Sequence, residues 1–216
     1  MGRAKLNMPS VVTHLAITDK VFDRFFSGKE KGDFLVGTLF PDIRYLAGLE
    51  REKTHLSEVK LTDCREDLSF WAGLKFHSLI DILFDDFILG RSCADEDHKN
   101  HTALKYLQDE LLYDKTKSRE EAQKALNNIL PEELLFAVRP DDIARWHDVL
   151  KDYLAQKPDQ KSRERAALEI FGQNAKAIER FGISNQRIEI ARNDKNATDK
   201  LLYFYDHIED LLNKPI

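Results

Sequence analysis

The sequence predicts an all-α fold, and three observations lead to this fold class. Apolar residues recur at helical spacing along most of the 216-residue chain. No run of alternating β-branched residues predicts a strand. The composition, with 42% hydrophobic residues, nine Gly and six Pro, is that of a globular protein rather than a disordered or collagenous one. We therefore expect residues 1–216 to form one compact domain of about eight helices.

The first 90 residues are predicted to contain three helices. One spans about 10–27 and ends near Gly28. A short, mostly apolar helix over 33–40 ends at Pro41, because proline disfavours helical backbone at the residue before it. A polar loop rich in Glu, Lys and Arg then leads to a long amphipathic helix over about 66–89.

The second half of the chain shows the same helical patterning. Further helices are predicted around Leu104, Leu107 and Leu111, after Pro131 and Pro140, over 160–181 and over 197–212. Ser118 and Glu121 have the spacing of a capping box, in which two side chains bind the backbone amides at a helix start. The helix around residues 104–111 and the one after Ser118 carry no obvious chemical motif.

Charge and cysteine content narrow the function classes. The formal net charge of -5 gives no overall positive field for nucleic acid, although charge alone does not exclude a nucleic acid substrate. Cys64 and Cys93 are too few for a disulfide framework. No signal segment is evident, and no apolar stretch approaches the roughly 20 residues that span a bilayer. We expect a cytoplasmic protein without a transmembrane segment, while a mature secreted chain would have the same features.

His77 and Asp81 are the first candidates for a functional site. They lie four residues apart on a predicted helix, so both side chains project from one face, as helix-borne metal ligands do. Asp85 continues that face, as an additional metal ligand or as a residue behind the ligands. The rest of the face is apolar, and a buried carboxylate there is costly unless a cation or a hydrogen-bond donor compensates its charge. A metal ion is one such partner.

Three more residues extend this set from other parts of the chain. His14 lies on the core-facing side of the first helix, Asp42 follows the proline that ends the second, and His55 lies in the polar loop. Each has an ordinary alternative role: a hydrogen-bonded core histidine, a helix N-cap and a loop residue, respectively. Together, two histidines and two carboxylates from three chain segments suit a hard to borderline metal ion, and a third histidine with a shared carboxylate allows a second ion.

Other catalytic motifs are less well supported. Glu52-x-x-His55 matches half of a di-iron carboxylate site, but that site needs two such motifs and two further glutamates. His147-Asp148 is a dyad of the kind used by helical metal phosphohydrolases, without the upstream spacing of those enzymes. The chain has no Gly-x-Ser-x-Gly, glycine-rich phosphate loop or Cys-His signature, so serine, cysteine and P-loop chemistry are not indicated.

Four motifs occur in an order that resembles a known family. They are a histidine on the first helix, a Gly-x-x-x-Pro-Asp turn, a lone histidine and a Gly-x-x-x-His-x-x-x-Asp helix, here within His14–Ile17, Phe34–Asp42, Lys53–His55 and Gly73–Asp81. This ordered set resembles the zinc-dependent phospholipase C superfamily, which is related to the zinc-dependent single-strand nucleases of fungi and plants. The resemblance covers about the first 90 residues.

The resemblance implies an all-α phosphoesterase with zinc in its helical core. In the family, one zinc is held by the residues that correspond here to Asp42, His55, His77 and Asp81. The shared aspartate, Asp81, bridges to another zinc together with the first-helix histidine, His14. Secreted members add an N-terminal tryptophan to that second zinc, where this sequence has Met1.

A third zinc of the family lacks its full ligand set in this sequence. Its first histidine corresponds to Phe87, and neither later histidine is followed by the carboxylate that the family pairs with it. Asp85 or Asp86 would be the substitute carboxylate. The histidines available to them, His98 and His101, lie in a charged stretch that is typical of a solvated helix start. We therefore expect one or two zinc ions rather than three.

The predicted function is hydrolysis of a phosphoester by metal-activated water. Asp42 would serve as a zinc ligand or as the general base, and Arg44, with Arg51 and Lys53 nearby, would contact a phosphate. The expected substrate is a phosphoester small molecule or a lipid head group. The alternative is a catalytically degenerate binding or structural module that a metal site stabilises. Neither the substrate nor the oligomeric state follows from the sequence.

Overall fold

The computed structural model describes residues 10–89, 97–172 and 175–214, without the side chains of 89, 97–100 and 175–181. Cys93 and the side chain of His98 lie outside the described residues. Within those ranges the chain forms twelve α-helices and four short 3-10 helices, with no strand. This confirms the all-α class, and the number of α-helices in the described ranges is larger than the predicted number of about eight.

The helices follow one another through short connections. In chain order the α-helices are α1 Val11–Phe25, α2 Lys31–Leu39, α3 Arg44–Ala47, α4 Leu61–Glu66, α5 Ser69–Leu89, α6 Asp97–Leu112, α7 Arg119–Ala125, α8 Pro140–Leu154, α9 Gln160–Phe171, α10 Ala175–Asn193, α11 Lys195–Asp206 and α12 Ile208–Leu212. The 3-10 helices are Pro41–Ile43, Arg51–Lys53, Tyr113–Lys115 and Glu133–Phe136. Across the described ranges, no helix combines the length and the apolar character that crossing a bilayer requires.

Two glycines bring α2 and α5 into backbone contact. A Cβ at Gly37 would lie 2.0 Å from the carbonyl oxygen of Phe70, and a Cβ at Gly73 would lie 2.1 Å from that of Phe34. Any larger residue at either position would push the two helices apart. Because of this contact, α5 lies directly beside the end of α2, where the Pro-Asp turn follows.

Aromatic side chains fill the space around this helix pair. The ring centroid of Phe26 lies 4.7 Å from that of Phe34 and 5.1 Å from that of Phe76, and all three rings are buried. On another side, the buried Trp146 of α8 donates its indole N–H to the carbonyl oxygen of Leu39 at 3.3 Å. Complete burial of one such side chain contributes roughly 1.5–3 kcal/mol, so these contacts help to hold α1, α2 and α5 together around the polar residues between them.

Helix boundaries differ from the prediction where local backbone conformation interrupts a helix. The long helix α5 begins at Ser69, later than predicted, because the extended backbone of Asp67 separates it from α4. Gly172, with a φ of 62°, ends α9 within the stretch that had a single helical pattern. Pro140 opens α8 as predicted, whereas Pro131 precedes a 3-10 helix rather than an α-helix.

The predicted capping box at α7 is wrong. Ser118 is the N-cap residue, but its side chain makes no hydrogen bond in the described part of the chain. The amide of Ser118, which a capping box would satisfy with Glu121, instead donates to the carboxylate of Asp19 at 2.9 Å. The Glu121 carboxylate pairs with Lys31 of α2 at 3.2 Å. Tertiary partners therefore replace the local ones.

Candidate metal centre

The structure brings all five sequence-predicted ligand residues into one buried cluster, which we call the His/Asp centre. His14 comes from α1, Asp42 from the 3-10 helix that follows α2, and His55 from the loop before α4. His77 and Asp81 both come from α5. Their exposed fractions lie between 2% and 7%. Thus four separate segments each deliver a polar side chain to the same place in the core.

Two hydrogen bonds to α5 explain why the α2 end and the polar loop meet there. Nδ1 of His77 donates to the carbonyl oxygen of Thr38, 2.8 Å away on α2. The amide of Leu56 donates to Oγ of Ser78 at 3.1 Å. This second bond fixes the loop that carries His55 against α5.

A buried carboxylate on α6 fixes the start of α1. Oδ1 of Asp109 accepts hydrogen bonds from the amide of Thr13 at 2.8 Å and from its hydroxyl at 2.6 Å. Tyr153 donates its hydroxyl to Oδ2 at 3.4 Å. Burial raises the pKa of Asp109 to about 7, although the bonds from Thr13 act to lower it. Asp109 therefore holds the helix turn that carries His14.

The facing atoms of the His/Asp centre have the spacing of metal ligands. Nε2 of His55 lies 3.2 Å from Nε2 of His77. Asp42 Oδ1 lies 3.6 Å from the first of these nitrogens, and Asp42 Oδ2 lies 3.8 Å from the second. Asp81 Oδ2 lies 3.8 Å and 3.9 Å from the same two nitrogens. Zinc binds such atoms at about 2.0–2.2 Å, which places tetrahedral ligands about 3.3–3.6 Å apart, so these atoms fit around one ion with small adjustments.

Two overlapping groups of three residues could hold a metal ion. The first group is Asp42, His55 and His77, and the second is His14, His77 and Asp81. In each group one ligand atom from every residue lies within 4.8 Å of the others. His77 belongs to both groups, so the two candidate positions are not independent.

Hydrogen bonds at Nδ1 leave the Nε2 atoms of His14 and His77 with a lone pair that can bind a metal. Since a carbonyl oxygen only accepts, the Nδ1 of His77 must carry the proton that it donates to Thr38, and its Nε2 keeps a lone pair. The same holds for His14, whose Nδ1 donates to the Ser10 carbonyl at 2.7 Å and whose buried Nε2 has no hydrogen-bond partner. His55 Nδ1 lies 2.9 Å from the hydroxyl of Thr54, which can accept or donate, and His55 Nε2 is hydrogen-bonded to Nε2 of His77, so this ring would have to release the Nε2 proton or shift it to Nδ1 to bind a metal. Metal-binding histidines are typically oriented in this way.

The three imidazole rings favour the neutral, metal-binding form. Burial lowers the pKa of His77 to about 4. Burial, with repulsion from His77 as the next cause, lowers the pKa of His14 to about 4 as well. Burial also lowers the pKa of His55. Because neutral imidazole is the ligand form, no proton has to leave His14 or His77 at neutral pH for a metal to bind.

The two carboxylates of the centre differ in their affinity for protons. Burial, and then the negative charge of Asp81, raise the pKa of Asp42. Burial alone would raise the pKa of Asp81 too, but Lys105 and the three histidines hold it well below its usual value. Asp81 is therefore the fixed charge of the centre, and Asp42 is the carboxylate that exchanges a proton more readily.

Three cationic side chains approach these carboxylates. Lys105 Nζ lies 2.6 Å from Asp81 Oδ1, and Arg51 donates to Asp81 Oδ2 at 3.2 Å. Arg44, predicted to contact a phosphate, lies 4.0 Å from Asp42 Oδ1, with its guanidinium stacked on the Tyr45 ring. Arg51 is half-exposed and forms the solvent side of the centre.

Lys105 is the residue of this centre that the sequence analysis missed. On α6 it lies four residues after His101 and four before Asp109, so these three polar side chains share one helix face. All three are buried. Such a polar stripe among apolar residues is a signal that a reading of the leucines alone overlooks. By contrast, Lys53, which had been grouped with the arginines, is exposed.

Asp85 lies beside the His/Asp centre rather than in it. Its Oδ1 is 2.7 Å from Nε2 of His101, without the geometry of a hydrogen bond. Its side chain is 46% exposed, and it belongs to neither group of three. Asp86 is exposed. Asp85 thus lies one helical turn after Asp81, next to the candidate ligands, and is not one of them.

The alternative ligand motifs do not converge. His147 is buried and lies 2.7 Å from Oε1 of Glu133, whereas the side chain of Asp148 is 74% exposed and pairs with Lys151. Glu52 is exposed, so it does not join His55 in the core. No protein-family model, curated protein or solved structure matches the chain. Geometry and chemistry alone therefore indicate that this cluster of buried His and Asp side chains could hold a metal ion.

Proposed function

We propose that this protein is a metal-dependent hydrolase of phosphoesters, of the type found in the zinc-dependent phospholipase C superfamily that its motifs resemble. The observation that carries the proposal is the convergence of buried imidazole Nε2 atoms and carboxylate oxygens. His55 and His77 contribute the nitrogens, and Asp42 and Asp81 contribute the oxygens.

Zinc is the proposed metal because of this donor set. Two imidazole nitrogens with two carboxylates are borderline ligands, which suit zinc better than calcium or magnesium. When bound, the ion would act as a Lewis acid and activate water for attack on phosphorus near neutral pH. Asp42, Asp81, His55 and His77 would hold it, each already buried and oriented.

The surrounding charges support a phosphoester as the substrate class. Arg44, Arg51 and Lys105 place three positive groups around two carboxylates, and phosphate oxygens are well recognised by such groups. Arg51, half-exposed, would meet the substrate first. Asp42, whose pKa is raised, would accept a proton from the attacking water or act as a ligand.

A structural metal site is the second candidate function, and burial favours it. All five candidate ligands are at most 7% exposed, and structural metal sites are closed to solvent. In that case the ion would stabilise the junction of α1, α2 and α5 and no substrate would be converted. Both functions predict a bound metal ion, and only the hydrolase predicts turnover of a substrate.

A substrate panel with a matched pair of variants tests the proposal. The zinc-loaded protein is assayed with nitrophenyl phosphate monoester and diester, phosphatidylcholine vesicles and single-stranded DNA. We expect turnover of at least one, lost on chelation, and lowered about 100-fold or more by Asp42→Asn. Asp148→Asn, an exposed carboxylate, is the control and should leave the rate unchanged. Stoichiometric zinc without turnover of any substrate would instead favour the structural site.

A further inference from the structure

The two oxygens of Asp81 face different partners. Oδ2 faces His55, His77 and the guanidinium of Arg51. Oδ1 faces the ammonium of Lys105 at 2.6 Å and Nε2 of His14 at 3.8 Å. The carboxylate thus divides the His/Asp centre into a side that faces His55 and a side that faces His14.

The side that faces His14 already contains a cation. Lys105 is buried, and its Nζ also lies 5.6 Å from the centroid of the Phe84 ring. A buried ammonium needs a charged partner, and Asp81 is the carboxylate that it contacts. A metal ion bound between Asp81 Oδ1 and His14 Nε2 would be brought close to this fixed positive charge, which opposes its binding.

His77 cannot serve both groups of three at once. Its Nδ1 is engaged with the Thr38 carbonyl, so only Nε2 has a lone pair for a metal. One lone pair binds one ion. If an ion binds His77 together with Asp42 and His55, His77 is no longer available to the second group. A second ion there would have only His14 and Asp81 as ligands.

From this geometry we propose that the protein binds a single metal ion, on the His55 side, and that the Lys105 ammonium takes the place of a second cation beside Asp81 and His14. This inference rests on the metal site of the proposed function. Lys105 is a positioning residue in this arrangement, since it holds Asp81 with Oδ2 directed at the ion. Its charge, unlike that of a second ion, does not depend on the metal concentration of the medium.

Counting bound zinc in lysine variants tests the inference without any assay of activity. Zinc is titrated into metal-free protein by calorimetry, and bound zinc is measured by elemental analysis after desalting. The wild type should saturate at one equivalent per chain. Lys105→Met removes the charge and leaves an unbranched side chain that is one atom shorter, and it should raise the stoichiometry to two. Adding His14→Gln to Lys105→Met should return it to one.

Two further variants complete the design. Lys75→Met is the matched control, because Lys75 pairs with Asp67 at the surface of α5, and it should stay at one equivalent. His14→Gln in the wild-type background should also keep one equivalent. This variant keeps the test decisive even if Lys105→Met does not fold.

Each outcome separates the two proposals. Two equivalents in the wild type, one equivalent in folded Lys105→Met, or loss of zinc in His14→Gln would overturn the role of Lys105 while leaving a metal-dependent function intact. No zinc in the folded wild type would instead overturn the proposed function itself.

Discussion

Two buried histidine clusters in this protein differ in how their polar atoms are paired. At the junction of α8 with the preceding 3-10 helix, His147 Nε2 lies 2.7 Å from Glu133 Oε1, and Glu133 Oε2 accepts from the Leu130 amide at 2.7 Å. Every facing atom there has a partner within hydrogen-bonding distance. In the His/Asp centre, the Nε2 atom of His14 is unpartnered, and the carboxylates lie 3.6–3.9 Å from the histidines.

The difference shows which property of a buried histidine indicates a metal. Burial beside a carboxylate is common to both clusters and does not distinguish them. What distinguishes them is that, among the residues that the structure describes, no hydrogen bond joins a carboxylate to an imidazole ring in the His/Asp centre, where these groups face one another at 3.6–3.9 Å. A direct hydrogen bond pairs His147 with Glu133, whereas in the His/Asp centre Lys105 and Arg51 pair with Asp81 but do not link the carboxylates to the rings, which a metal ion would do.

Asp81→Asn should have the largest effect. It removes the charge that pairs with Lys105 and faces three histidines, and breaking a buried pair in this way costs about 3–5 kcal/mol of stability. Calorimetry should show a melting temperature lower by roughly 10 °C, and elemental analysis should find little zinc. Asp148→Asn, on the exposed side of α8, is the control. A variant that keeps both its zinc and its melting temperature would contradict the central role of Asp81.

His147→Ala should destabilise the protein without changing its metal content. The sequence alone suggests a cost of about 1 kcal/mol for a residue at the edge of the core. The structure raises this to about 3 kcal/mol, because Glu133 is fully buried and would lose its partner. Denaturant unfolding measures the loss, and Glu133→Gln in the same chain should recover part of it. Equal losses in the single and double variants would show that the pair is not coupled.

Metal removal should lower stability by a smaller amount. A ligand at 100 times its dissociation constant stabilises the native state by about 2.7 kcal/mol. Melting curves with excess zinc and with chelator should therefore differ in the wild type and, by the same amount, in His147→Ala. The difference should be at most about half as large in His77→Ala, because a loss of 10-fold or more in zinc affinity leaves about 1.4 kcal/mol or less at the same zinc concentration. A zinc-dependent shift that persists undiminished in His77→Ala would place the metal elsewhere.

Asp109 gives the smallest effect, and it depends on pH. Its pKa is raised to about 7 in the folded state from 3.8, so the folded state binds the proton more tightly than the unfolded state. The resulting stability is complete below pH 3.8 and is lost as the pH rises through 7, by about 1.4 kcal/mol between pH 6 and pH 8. Asp109→Asn keeps an acceptor for Thr13 and should abolish this part of the pH dependence. An identical slope in both proteins would contradict the raised pKa.

Much of the fold follows from local patterns in the sequence. Helical spacing of apolar residues locates the main helices, and His77 and Asp81 share a face because they lie four residues apart. The same rule shows why the adjacent pair failed: Asp148 is rotated about 100° from His147 on the helix and faces solvent. Asp42 and His55 could be proposed from the order of motifs, but their approach to His77 depends on tertiary contacts.

The parts that could not be predicted depend on contacts between distant segments. Lys105 reaches Asp81 because α6 packs beside α5, and Asp109 reaches Thr13 across 96 positions of the sequence. The two glycines of the α2/α5 contact are unremarkable in sequence, yet their missing side chains allow the helix backbones to touch. Local spacing carries no information about such pairings. The capping box failed for the same reason, since Asp19 satisfies the amide of Ser118 from another helix.

The zinc content of His77→Ala and His147→Ala, compared at matched folding, tests the metal assignment most directly. Both variants remove one buried imidazole from a helix, so they differ in the proposed role and little in chemistry. His77→Ala should lose at least the roughly 10–100-fold in zinc affinity that loss of an orienting partner alone costs, while His147→Ala should keep one equivalent. Retention of zinc by His77→Ala together with its loss from His147→Ala would contradict the assignment of the His/Asp centre as the metal site.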